Sequence, residues 1–282
     1  MLSTRHIRRR FERAASTFDS ADFVHTATRD GLLQRIEPLL IDAQTVVDLG
    51  CATGAAARPL KKRFPKARLV GVDFACNMLR TANTRKSWFT RSAFVQADAR
   101  ALPFANESVD VVFSNQLLPW IANPDEVFAE VARVLRKGGV FAFATLGPDS
   151  LLEISRAWRE MDDGHHVSRF PDMHNLGDGL VNAGLRDPVL DVDRLTVSYN
   201  STDALLADLS AAGARNTLRD RSRSLTGKRK FRGMLAALER ATVDGKIAVE
   251  LELVFAHCWG AGPRMDPANY RIDANRIPLR NK

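Results

Sequence analysis

An open α/β fold, a seven-stranded and mostly parallel doubly wound sheet of Rossmann-like type, is the class that this sequence predicts. Three observations carry the expectation. Short β-branched runs alternate with helical stretches between about residues 45 and 145. The apolar run Val46-Val47-Asp48-Leu49 enters a small-residue turn, Gly50-Cys51-Ala52-Thr53-Gly54, directly before a helical stretch. Aspartates stand at the ends of three successive strand-like runs, as Asp48, Asp73 and Asp98.

Taken in order, the first strands are read at Thr45–Leu49, Arg68–Val72, Ala93–Gln96, Val109–Phe113 and Gly139–Thr145, with helices near 55–64, 75–86 and 124–136. Strand–helix–strand alternation at this spacing requires right-handed crossovers and covers both faces of a parallel sheet. Lys137-Gly138-Gly139 supplies the positive charge and glycine stop expected where the third helix ends. After residue 146 the rhythm changes to a helix at about 149–161, a Gly/His loop and a helix at about 174–183 that stops at Gly184. Two further strand-like runs, Val189–Val197 and Ile247–Ala256, bracket an Arg/Lys-rich helical insert at about 201–242, which reads as a cap. At the N-terminus, Ile7, Phe11, Ala14, Ala15 and Phe18 recur at helical spacing. That segment is read as an ordered amphipathic helix in preference to a cleavable targeting peptide. The expected organisation is a helical lid (1–40), a ligand-binding core (41–146), the rest of the sheet with its cap (147–260) and a basic tail (261–282).

The 282 residues are 45% apolar and 26% charged, which excludes a disordered, collagenous or coiled-coil chain. No apolar run reaches the roughly 18 residues of a membrane-spanning helix, so no membrane is expected as a partner. Cys51, Cys76 and Cys258 are odd in number and far apart, and read as reduced thiols of a cytoplasmic protein. The net charge of +8 is uneven: +4 in residues 1–13, +7 in 215–232 and +3 in 264–282, on a body of −6. A basic periphery of this kind suits an anionic partner.

The Gly50–Gly54 turn lets a ligand approach the backbone at a helix N-terminus. A dinucleotide site wants Gly-x-Gly-x-x-Gly, but Ala52 and Ala55 occupy the second and third positions. A phosphate loop needs Gly-Lys-Ser/Thr, and the Gly-Lys pairs here continue into Arg229 and Ile247. A Tyr-x-x-x-Lys reductase is excluded too, since Asp203 and Ala274 follow Tyr199 and Tyr270 at that spacing. A small cationic cofactor remains. Asp48 suits the ammonium end of S-adenosylmethionine, Asp73 the paired ribose hydroxyls, and Asp98 the adenine amino group.

The chain therefore resembles a class I S-adenosylmethionine-dependent methyltransferase. Asp48-x-Gly50-x-Ala52-x-Gly54 matches the glycine motif, while Gly71-Val72-Asp73-x-x-x-x-Met78-Leu79 and Asp110-x-Val112-x-Ser114-Asn115 match later signatures. The resemblance implies that Asp48, Gly50, Ala52, Gly54, Asp73, Met78, Asp98, Ala99 and Asn115 bind the cofactor, which leaves as S-adenosylhomocysteine. It also implies an antiparallel last strand. The family usually has glycine where this chain has Ala52, which puts cofactor affinity in question.

Several acceptors are excluded. Ser114-Asn115-Gln116-Leu117 is not the Asp/Asn-Pro-Pro-aromatic segment of base amino-methylation, and no Pro-Cys pair offers a cytosine nucleophile. No nucleic acid partner is expected. His165, His166 and His174 lack metal-ligand spacing, so no metal is expected either. The segments Arg8-Arg9-Arg10-Phe11, Gly147-Pro148-Asp149-Ser150-Leu151, Arg169-Phe170-Pro171-Asp172-Met173-His174 and Leu253-Val254-Phe255-Ala256-His257-x-Trp259 closely resemble the malonyl-acyl-carrier-protein O-methyltransferases of biotin synthesis.

That resemblance implies methyl transfer to the free carboxylate of malonyl-acyl carrier protein or malonyl-CoA, giving the ester that starts the pimeloyl chain. Such a carboxylate is ionised at neutral pH and needs no general base. Trp120 is expected to wall the pocket, Phe18 to close it (the family often has Tyr there), and Arg169 or His166 to orient the malonyl group. Arg215, Arg219, Arg221, Arg223, Lys228, Arg229 and Lys230 form the expected docking patch for the acidic carrier protein. The alternatives are an arginine-hydroxylating assembly factor of respiratory complex I and, because of Ala52, a non-catalytic scaffold of the same fold.

Overall fold

The computed structural model describes residues 2–85, 92–214, 216, 218, 227–242 and 244–262. Among them, one sheet holds seven strands in the order β3-β2-β1-β4-β5-β7-β6: β1 (Thr45–Leu49), β2 (Arg68–Asp73), β3 (Ser92–Gln96), β4 (Val109–Asn115), β5 (Leu135–Leu146), β6 (Leu185–Tyr199) and β7 (Ile247–Gly260). The β1–β5 pairs are parallel, and β7 runs antiparallel to both β5 and β6, as expected. Strand order reverses between β1 and β4. At such a point the crossovers diverge to opposite faces and leave a crevice at the carboxyl ends of the strands.

Helices α1 (Thr4–Ala14), α2 (Phe23–Ile36), α3 (Ala57–Arg63), α4 (Cys76–Thr84), α5 (Pro124–Val134), α6 (Leu152–Arg159), α7 (Met173–Asn182), α8 (Thr202–Ala211) and α9 (Lys228–Arg240) complete the described fold. The period-two geometry of a strand divides the core. Val47 and Leu49 join Phe128, Phe141 and Phe143 on one face, whereas Val46 joins Leu60, Leu69 and Phe255 on the other. Helix α5 starts where Asn123 accepts the Asp125 N–H and Pro124 fills the first turn.

Three local expectations change. Helix α5 ends at Val134, and Lys137-Gly138-Gly139 lies inside β5. The pairing there jumps from Val109–Leu135 to Val111–Val140, and Gly138 takes φ +73° within that irregularity. The glycines thus serve the strand, not the helix stop. Strand β6 begins at Leu185 and not at Val189, and the left-handed Asp187, with Pro188 after it, sits at a register shift between Arg186 and Val189. Phe18 is not on the N-terminal helix: the Thr17 hydroxyl bonds the Ala14 carbonyl, and Phe18 opens a separate 3-10 turn, Phe18–Ala21.

The N-terminal segment is bound over the strand ends by specific contacts. Ile7, Phe11 and Ala14 are buried, and the Glu12 carboxylate accepts the Cys76 and Asn77 N–H groups at 2.8 Å each. Glu12 therefore caps α4 from another element, satisfying amides that a helix start leaves free. Helices α6, α8 and α9 and the start of β7 enclose Ala157, Leu205, Met234, Leu238 and Ile247 in a small apolar cluster of their own.

Candidate active site

The turn after β1 is held by its neighbours. Gly50 and Cys51 both donate to the Val72 carbonyl, at 2.8 and 3.0 Å, and Ala52 donates to Asp73 Oδ2 at 2.9 Å. Gly50 and Gly54 have φ of +79°, and Ala52 has φ +44°. An L-residue with a Cβ is strained in that left-handed region. Glycine at Gly71 has a different reason: a Cβ there would lie 2.5 Å from Phe94 and 2.9 Å from Cys51 Sγ. Thr53 donates to Asp19 Oδ1 at 2.6 Å, which ties the turn to the N-terminal segment.

A cavity opens over this turn. Asp48, Gly50, Ala52, Asp73, Asp98, Ala99 and Asn115 all reach its wall, as do Phe18 and Trp120. Trp120 meets Phe11 edge-on, with ring centroids 5.0 Å apart. Gly54 and Met78 do not reach the wall. A Cβ on Gly54 would lie 3.1 Å from Ala82 and Phe94, and Met78 is fully buried beneath α1. Both residues shape the turn and its support from behind. Asp110, also in the signatures, sits at the opposite end of β4, where it accepts the Gln44 and Thr45 N–H groups at 2.7 Å and pairs with Arg136.

The acidic groups of the cavity differ in what they have left to offer. Asp48 is buried and its Oδ2 has no partner. Burial first, and the charge of Asp73 second, push its carboxyl up to about 7, against the pull of Arg29. Asp73 accepts Ala52 and Ala75 N–H groups at 2.9 and 2.8 Å, yet burial still raises it to about 6. Asp98 is gripped by Arg100 through Nε and Nη2 at 2.9 and 2.7 Å, and that bond holds its carboxyl below the usual range. Asn115 donates from Nδ2 to the His25 carbonyl at 2.8 Å, which fixes its amide orientation and leaves Oδ1 buried without a partner. Two unpartnered buried acceptors in one cavity are complementary to a cationic ligand that also carries hydrogen-bond donors.

Arg169 and His166 lie elsewhere. His166 stacks on Trp158, with centroids 3.8 Å apart and planes 7° apart, and its Nε2 bonds Asp162 Oδ1 at 2.7 Å. Lys230 bonds the other Asp162 oxygen at 3.1 Å, so this lysine is engaged within the fold. His166 lines a second, largely apolar cavity of about 590 Å³ that meets the first at Trp120, and Arg169 lines a third beside it. Neither shares the wall with Asp48. Sequence reasoning missed His25, Arg29 and Gln116, which do. No motif marks them, because the fold alone brings α2 against the end of β4. Arg215, Arg219, Arg221 and Arg223 lie outside the described residues. No cluster of metal-ligating side chains and no helix long and apolar enough to cross a membrane occurs among the described residues.

This sheet order, with the glycine turn after β1 and acidic residues ending β1 and β2 beside one cavity, defines a class I S-adenosylmethionine-dependent methyltransferase. Residues 47–143 match the family model described as a methyltransferase domain. The chain belongs to the malonyl-[acyl-carrier protein] O-methyltransferase family. It is 35% identical to the protein of that name from Gallionella capsiferriformans, covering 94% of each chain. It is 37% identical to the one from Xylella fastidiosa, over 100% of this chain and 98% of that one. Neither the arginine-hydroxylase nor the scaffold alternative is favoured by relatives of this kind. Among solved structures, the Bacillus subtilis YcgJ protein superposes with TM-score 0.59 at 17% identity, covering 83% of this chain and 100% of that one. Geranyl diphosphate methyltransferase in complex with S-adenosylmethionine gives 0.51 at 18%, covering 83% and 84%. These two likenesses concern the fold.

Proposed function

We propose that this protein transfers the methyl group of S-adenosylmethionine to the free carboxylate of a malonyl thioester, giving the methyl ester that the family resemblance assigns to the start of biotin synthesis. The observation that carries the reading is the junction at Trp120, where the cavity lined by the carboxylates Asp48, Asp73 and Asp98 meets a larger one lined by apolar side chains of α6, α8 and α9. One side suits a charged donor and the other a long, weakly polar thioester arm.

When bound, the donor supplies an electrophilic methyl group on a sulfonium. In this proposal Asp48 holds its ammonium group and Arg29 its carboxylate, both from the cavity wall. Asp73 accepts the ribose hydroxyls with the lone pairs that Ala52 and Ala75 leave free. Asp98, already paired with Arg100, receives the adenine edge. Phe18 and Trp120 exclude water from the reacting pair. Attack of an anion on a cation cancels charge, and a dry, aligned pocket favours it. No base is called for, and His25, held down near 4 by burial, is a poor one at neutral pH.

The carrier is read as an acidic acyl carrier protein, with no nucleic acid or membrane involved and a cytoplasmic setting. Support comes from α1. Arg5, Arg8, Arg9 and Arg13 are exposed on it, and Thr4 belongs both to their groove and to the donor cavity. A basic face at the mouth of the site steers an acidic carrier toward it. Incubation with methyl-labelled S-adenosylmethionine and malonyl-acyl carrier protein tests the proposal. A base-labile labelled methyl ester is expected, and donor binding without any ester overturns it.

A further inference from the structure

His25 and Gln116 are far apart in the chain and meet where the donor cavity adjoins an apolar one; both residues, with Trp120, line both. His25 lies in the first turn of α2, its imidazole against the Phe18 ring with centroids 4.9 Å apart, and its carbonyl receives the Asn115 bond already described. Gln116 follows β4 with φ +58°, a conformation that glutamine seldom adopts. Its backbone N–H donates to the Ala144 carbonyl at 2.8 Å, which anchors the strained residue to β5. Part of the His25 residue reaches solvent, but its Nδ1 does not, and that atom has no partner; neither does the buried Nε2 of Gln116.

Leaving a buried hydrogen-bonding group unpaired is costly. Here the two residues that carry such groups line the same junction, and Asp48 and Asn115, with their unpartnered acceptors, line the donor cavity beside it. Asp48 and Asn115 line the donor cavity and not its apolar neighbour, whereas His25 and Gln116 line both, and so stand where a carboxylate approaching from the apolar side would arrive.

We propose that His25 Nδ1 and Gln116 Nε2 form the subsite that grips the malonyl group, donating hydrogen bonds to its oxygens and aiming one carboxylate oxygen at the methyl. The inference rests on the malonyl-thioester reading. His25 carries its proton on Nδ1 in this arrangement. Both donors are uncharged, and that is the functional point: a guanidinium on the same carboxylate would tie up the electron pair that attacks, whereas two neutral bonds orient it at little loss of nucleophilicity. The pair takes the place that sequence reasoning gave to Arg169 or His166. Because the grip spans a fixed distance, it also selects acyl length.

The test uses the whole enzyme and two substrates, malonyl and succinyl thioesters of one carrier. Wild-type enzyme is assayed first, since its failure to esterify malonyl thioester would sink the functional reading and not merely the subsite. Gln116→Met and His25→Phe remove the donors at similar volume, and His25→Asn restores an N–H near the Nδ1 position. The expected result is a fall of about 10–100-fold in kcat/KM for malonyl thioester with either removal. Partial rescue by His25→Asn and loss of the malonyl-over-succinyl preference are expected with it. Affinity for S-adenosylhomocysteine, read by calorimetry, should stay within about threefold, which also certifies folding of each variant. Retained malonyl activity and preference in both variants would overturn the proposal. So would a loss of donor affinity that parallels the loss of turnover.

Discussion

The Ala52 N–H donates to Asp73 Oδ2 across 2.9 Å, and through this bond the turn after β1 and the end of β2 act as one surface. The same carboxylate accepts the N–H of Ala75, the residue just before α4. Asp73 thus organises the backbone of the site as well as facing the cavity, and Ala52 sits at φ +44° because that bond and the flanking glycines hold it there.

Relief of strain is expected from Ala52→Gly. A non-glycine residue in this region pays about 1 kcal/mol, so thermal unfolding should show stability unchanged or raised by up to about that amount, with cofactor affinity retained. Ala52→Val adds β-branching at the cavity wall and should weaken S-adenosylhomocysteine binding by about tenfold or more. Equal binding by both variants would mean that the ligand does not pass over this residue.

Donor binding should depend on pH through Asp48. Its carboxyl titrates near 7 in the free protein and must be ionised to hold an ammonium group, so affinity rises as pH increases toward 7–8 and protons are released on binding. Folding carries the opposite sign. A folded value of about 7 above the ordinary 3.8 means the folded state holds more protons between those limits, so this group's contribution to stability declines as pH rises from about 4 to about 7. Asp73, raised to about 6, adds in the same direction. Calorimetry in two buffers of different ionisation heat, together with melts of wild type and Asp48→Asn from pH 5 to 8, checks both signs. Identical melting differences at every pH would refute the assignment.

His166 should prove structural. His166→Ala removes the stack on Trp158 and the bond to Asp162, and a loss of about 1–2 kcal/mol in unfolding free energy is expected. Single-turnover methyl transfer should remain within about twofold of wild type. A hundredfold fall in that step would return His166 to the reaction centre.

Charge reversal on α1 separates docking from chemistry. Arg5→Glu and Arg9→Glu lie on the exposed face, clear of the cavity wall. With malonyl-acyl carrier protein, kcat/KM should fall about 3–10-fold per residue at low salt and the difference should shrink as salt rises. With malonyl-CoA it should hardly change. Equal losses on both substrates would remove α1 from carrier recognition.

Much of this architecture is written locally. Val46-Val47-Asp48-Leu49 fits a strand buried on both faces, and the glycine turn with Asp73 and Asp98 marks the strand ends, so these residues of the cavity wall can be read in order along the chain. Signature positions that serve the fold are indistinguishable from these by motif alone, as Gly54, Met78 and Asp110 show. The proposed acceptor side is written non-locally. His25 and Gln116 have no spacing that links them, and only the packing of α2 against β4 does. His166 misleads for a physical reason, since a histidine in a Gly/His loop reads as available until Trp158 is found beneath it.

Titration of S-adenosylmethionine into wild type and Asp48→Asn by calorimetry, at pH 8 where the wild-type carboxylate is ionised, tests the central claim most directly. One-to-one binding by wild type and a weakening of about 10–100-fold in the variant are the expected results. No heat with wild type, or equal affinity in the two proteins, would contradict the claim that the unpartnered carboxylate of Asp48 receives the donor's cationic end.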